Sequence, residues 1–133
     1  MVADHPQKNE FSRRGMEVRR AVLGDAYVDK ALQKAENDPF LLPFQQLATD
    51  FAWGTIWTRP GLDRKIRSFI TLTCLATKGE YEEMRGHIRG AINNGATKEE
   101  ICEVFLHIAA YCGLPVALHS SQVAKEVFDE TGN

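Results

Sequence analysis

The stretch TKEEICEVFLHIAAY, residues 97–111, decides the fold class. Thr97 followed three residues on by Glu100 forms a capping box: a hydroxyl for a free amide of the first turn, and a carboxylate reaching back to the capping residue. The helix it opens is expected to run through Tyr111, with Val104, Leu106, Ile108 and Ala109 around a polar stripe of Glu103, His107 and Tyr111 at steps of four. No alternating apolar–polar pattern competes here or elsewhere in the chain, so no strand is expected.

Outward from this helix the same punctuation repeats. Gly113 and Pro115 precede a last helix expected over about 116–128, and Asn94-Gly95 closes one over 80–93. Asp63 is expected to cap a helix to about Thr77, ended by Lys78-Gly79, whose second half (Phe69, Ile70, Leu72, Cys74, Leu75, Ala76) is apolar nearly all round. A helix like that suits a core or a subunit interface. In 40–53 the apolar positions Leu41, Phe44, Leu47, Ala48, Phe51 and Ala52 recur at helical spacing, and 54–62 reads as a loop. Asn37-Asp38-Pro39 separates that helix from one that Asp25 can cap; an earlier amphipathic helix carries Met16, Val18, Val22 and Leu23 between arginines. The reading is all-α with about six to seven helices: residues 1–11 a flexible arm, 12–133 one domain.

Composition narrows the function classes. Sixteen basic and 18 acidic residues leave a net charge of −2 over 133 residues, which argues against nucleic acid or an anionic membrane as partner through bulk charge. No apolar run approaches the roughly 20 residues of a spanning helix, and the first ten residues lack a signal-peptide core. Cys74, Cys102 and Cys112 are too few for a disulfide framework and form no CxxC pair, so they read as buried thiols of a soluble cytoplasmic protein. A 44% hydrophobic chain this short leaves apolar surface that self-association would cover.

Three neighbourhoods could carry chemistry. Arg59, Arg64 and Arg67 follow Trp53 and Trp57, and Arg64 and Arg67 share a helix face near a helix start, a poor place for clustered guanidiniums unless an anion binds. Ion pairing at an interface accounts equally well for any single one of them. Glu80, Glu83 and His87 form a second stripe; it lacks the paired Glu-x-x-His repeats of di-iron bundles, so a solvated glutamate face is the commoner outcome and no metal is expected. In the third, Glu103 beside His107 could tune an imidazole for acid–base work, with Tyr111 next to it. By spacing alone, a core histidine satisfied by a neighbouring glutamate is commoner.

The run Trp53-Gly54-x-x-Trp57-x-Arg59-Pro60-Gly61-Leu62-Asp63-Arg64-x-x-Arg67-Ser68 resembles the signature of the carboxymuconolactone decarboxylase family. So do 87–95, the run from Glu99 to His107, Tyr111-x-Gly113-x-Pro115 and the run from Val18 to Asp25, over about residues 12–130 in all. The resemblance implies an alkylhydroperoxidase D-like helical fold assembled as a homohexamer, with a trimer as second choice. It implies cofactor-free decarboxylation of a carboxymuconolactone to an enol-lactone in aromatic catabolism. The site expected with it has Arg64 and Arg67 on a substrate carboxylate or the lactone oxygen, Arg59 and Tyr111 among the substrate-binding residues, and Trp53 and Trp57 as an apolar wall. His87 is first choice for the general acid, with His107 oriented by Glu103 second. A thiol-dependent peroxidase of the same fold, or a non-catalytic metabolite-binding oligomer, are the alternatives. The peroxidase members use Cys-x-x-Cys-x-x-x-His; here Glu80 and Glu83 stand where the cysteines would be, and Ser68 in the place of the relay glutamate.

Overall fold

The computed structural model describes residues 10–133. Over them the chain forms helices α1 (Glu10–Leu23), α2 (Asp25–Ala35) and α3 (Leu42–Leu47), a π-helical segment (Ala48–Ile56), and α4 (Arg64–Lys78), α5 (Tyr81–Asn93), α6 (Lys98–Cys112) and α7 (Leu114–Thr131). The described residues contain no strand, as the lack of alternation predicts. None of their helices is long and apolar enough to cross a membrane.

The chain divides after Leu62 into two compact units. In the first, Val18, Val22 and Leu23 of α1 and Val28 of α2 bury against Trp53 and Trp57. The α1 crossing is close because both helices present glycine. A Cβ on Gly15 would stand 2.2 Å from the Thr49 carbonyl oxygen, and one on Gly54 would stand 2.4 Å from that of Phe11. The π geometry widens the turn there, and Gly54 lies inside the helix. The expected loop over 54–62 is therefore wrong through Ile56, because the close approach of α1 places Gly54 inside the helix.

Two further expectations change here. Gly24, at φ 87°, is the N-cap of α2 and Asp25 caps nothing; its carboxylate pairs with Arg20 at 3.1 Å. Of the expected 1–11 arm, Glu10 and Phe11 are the first turn of α1, and the rest lies outside the described residues.

In the second unit Leu72, Ala76, Met84, Ile88, Ala91, Ile101, Phe105, Ile108 and Val127 build the core. Asp63 caps α4 by accepting the Ile66 amide at 2.9 Å, and Gly79 ends it in the left-handed region at φ 71°. The capping box forms as read, with Thr97 Oγ1 accepting the Glu100 amide at 3.0 Å and Glu100 accepting that of Thr97 at 3.1 Å. Asn94 Nδ2 ties the end of α5 to the start of α4, donating to Ser68 Oγ at 2.9 Å and to the Arg64 carbonyl at 3.2 Å. Arg85–Glu126 and Arg89–Glu130 pairs join α5 to α7.

Helix α4 turns one face inward through Ser68, Leu72 and Ala76, and leaves Ile66, Ile70 and Cys74 exposed. All three cysteines are free and exposed, which corrects their reading as buried thiols. The periodicity of Cys74, Cys102 and Cys112 puts them on outer faces of α4 and α6, where apolar residue type was a poor guide to burial.

Candidate active site

Arg64 opens α4 and is exposed, with no carboxylate partner among the described residues. Its neighbour Lys65 is neutralised by Glu100 at 3.0 Å. Arg67, one turn further, is half-buried, with its Nε shielded from solvent. The guanidiniums of Arg64 and Arg67 place positive charge at the start of α4, beside the Asp63 carboxylate that caps it.

His87 sits on α5, half-buried between the core residues Met84 and Ile88, with Nδ1 fully shielded. The Asn94 anchor makes α4 and α5 an antiparallel hairpin. Seven residues separate His87 from Asn94, so the imidazole stands about 10 Å along the helix axis from the level of Ser68 and Arg67.

The second stripe comes out differently. Glu103, His107 and Tyr111 are exposed on α6 and line a cavity of about 870 Å³ against Phe69, Ile70, Thr73 and Cys74 of α4. The His107 and Tyr111 rings lie 5.1 Å apart, and Tyr111 is 80% exposed. Its described lining residues include Glu100 and Glu103 and no lysine or arginine. Neither His87 nor the two α4 arginines line it, so the structure does not bring the two histidines to one cavity.

Trp53 and Trp57 stack at 4.8 Å in the core of the first unit, 5% and 8% exposed. Arg59 is exposed beyond the π-helical segment, its amide bonded to the Ile56 carbonyl at 3.1 Å. Among the described residues no group of three or more His, Cys, Asp or Glu side chains is placed to hold a metal ion.

Two residues escaped sequence reading. Arg19 is 5% exposed in the first unit and donates to Thr49 Oγ1 at 3.2 Å and Gln45 Oε1 at 2.8 Å, although the spacing of α1 offers it only as one of the arginines between the apolar positions. Asn94 had read only as a helix stop; a side chain that both caps and reaches 26 residues back has no local signal.

The fold is all-α, with Arg64 and Arg67 at the start of α4 and His87 on α5, the partner helix of the same hairpin. The carboxymuconolactone decarboxylase family model matches residues 43–126, and the chain belongs to that family. It is 47% identical over 116 residues to a nitrosuccinic acid decarboxylase of Metarhizium robertsii, covering 87% of this chain and 80% of that protein. It is 42% identical over 120 residues to a 4-carboxymuconolactone decarboxylase of Acinetobacter baylyi, covering 90% and 88%. A 4-carboxymuconolactone decarboxylase sequence of Pseudomonas putida shares 58% identity over 40 residues, 30% of this chain and 79% of that sequence.

Proposed function

We propose that the chain decarboxylates 4-carboxymuconolactone to β-ketoadipate enol-lactone in the breakdown of aromatic compounds. The observation that carries this reading is the 42% identity to the Acinetobacter enzyme, sustained over nine-tenths of the chain. Loss of carbon dioxide leaves an electron pair that the ring double bond conjugates to the lactone carbonyl. The substrate is its own electron sink, so the protein has to hold a dianion, stabilise the developing oxyanion and deliver one proton to carbon.

Arg64 and Arg67 are the proposed carboxylate grips, where a planar fork suits planar oxygens. His87 is the proposed proton donor. We prefer it to His107 because the His107 cavity carries carboxylates and no cation among its described lining, an unfavourable field for a dicarboxylate. The same proposal has the enzyme working in the cytoplasm, to which three free thiols are suited, as a homo-oligomer, a hexamer or trimer. The apolar residues left exposed on both units support the oligomer.

The 47% identity to the Metarhizium protein favours a second substrate, nitrosuccinate. The two acids share a skeleton. Each sets the departing carboxylate on a carbon that also bears a CH₂–carboxylate arm and an electron sink, the conjugated lactone in one and the nitro group in the other. The grip on two carboxylates serves both. The proton differs: it goes to the decarboxylated carbon of the nitro acid, but to the carbon beside the carbonyl of the lactone. Carbon dioxide release from the two acids, measured side by side, tests the reading. A kcat/KM at least tenfold higher on the lactone is expected, the reverse order assigns the nitro acid, and no release from either contradicts a decarboxylase.

A further inference from the structure

We propose that the cavity between α1, α3 and the start of the π-helical segment binds an uncharged aromatic ring that carries a hydroxyl group. The described residues that line it all belong to the first unit, whereas the proposed decarboxylation uses residues of α4 and α5.

The cavity measures about 680 Å³, the size of a small-molecule site. Met16 of α1, Leu32 of α2 and Leu42 of α3 give it apolar walls, and Gln46 and Asp50 bring polar groups to it. Gln46 Nε2 is shielded from solvent and has no hydrogen-bond partner among the described residues. A buried donor left unpaired is costly, and an acceptor on a ligand would satisfy it. Asp50 stands four residues further on, a spacing at which a carboxamide and a carboxylate commonly bond to each other. Here they do not, and Asp50 Oδ1 instead accepts the Ser12 hydroxyl. One hydroxyl group set between the two serves both, donating to the carboxylate and accepting from the carboxamide. Gln45 can add only a donor, since its Oε1 is taken by Arg19 at 2.8 Å. Thr49 and Asp50 belong to the π-helical segment, a geometry frequent at functional sites.

Charge selects the ligand class. Both guanidiniums that line the cavity are already neutralised: Arg13 by Glu10 and Glu17 at 3.8 and 3.4 Å, Arg20 by Asp25 and Asp29 at 3.1 and 2.8 Å. The Asp50 carboxylate adds to that excess of negative charge, which disfavours an anion such as the proposed substrate. An ammonium group would suit Asp50 but has no acceptor for Gln46. Arg20 favours a ring over an aliphatic alcohol, because a planar guanidinium held by two carboxylates is a fixed surface for stacking. The Met16 thioether suits the same partner.

Isothermal titration calorimetry of the full chain with 2-naphthol tests the site, with 2-methoxynaphthalene, 2-naphthoate and 2-naphthylmethylamine as comparisons. The naphthol is expected to bind one per chain, roughly tenfold more tightly than each of the others. Gln46→Met and Asp50→Asn, close to the native side chains in volume, should each weaken it by roughly five- to tenfold with unchanged helical circular dichroism. No binding of 2-naphthol at millimolar concentration, equal or tighter binding of a comparison compound, or undiminished binding by both variants overturns the proposal. Should the variants misfold, NMR of the nitrogen-labelled wild type decides: the Gln46 side-chain amide resonances should move as 2-naphthol is added, and resonances that stay in place overturn the proposal.

Discussion

His87 and the two arginines act on opposite ends of the proposed reaction, and their loss should be told apart by kinetics. Removing the imidazole takes away the proton donor and leaves the grip. His87→Ala should lower kcat by about 10²–10⁴ with KM little changed, checked by steady-state assay alongside circular dichroism. Removing a charge-assisted contact to a carboxylate costs about 1.5–3 kcal/mol, so Arg64→Ala or Arg67→Ala should lower kcat/KM by roughly 10- to 100-fold. Glu100 gives a prediction in pH. Its hydrogen bond to Lys65, and then that to the Thr97 amide, hold its carboxyl below the ordinary carboxylate range. A depressed carboxyl lends stability above its unfolded value, and that stability is lost as the pH falls through its folded value. Urea titrations of wild type should therefore lose stability on acidification, and Glu100→Gln should lose less over the same range. At this scale the sequence was readable where chemistry is local, as at Thr97, Glu100 and Asp63. Arg19 and Asn94 were not, because their partners lie 26 to 30 residues away.

Helices were legible from caps and spacing, and glycine is where that reading slipped. Gly79 stops α4 in a left-handed turn, as a terminal glycine should. Gly54 looks the same in sequence, yet it lies inside the π-helical segment, because α1 comes too near for any side chain. Only tertiary contact distinguishes the two. Gly15→Ala should thus destabilise by about 1–3 kcal/mol, whereas Gly61→Ala, with open space around its Cβ, should stay within about 0.5 kcal/mol. Chemical denaturation of both variants checks the pair. The apolar half of α4 read as buried nearly all round, yet Ile70 and Cys74 within it are exposed. Which face meets the core and which is left outside depends on where α5 and α6 pack, and sequence spacing alone does not say.

The all-α class and the family membership follow from long matched segments, and both were legible before any coordinates. The division after Leu62 was not, since no shift in composition marks it. Nor was the separation of the two histidines: both sit on amphipathic helices beside apolar residues, and only the packing of α4 puts His107 on a cavity that His87 does not line. The central claim is that the substrate itself accepts the electrons and the protein adds grip and one proton. The most direct measurement follows 4-carboxymuconolactone by NMR in D₂O with purified chain kept in excess chelator. One carbon dioxide released per lactone, with a single deuterium on the carbon beside the product carbonyl, is the predicted result. No release until a metal or an organic cofactor is restored would contradict it.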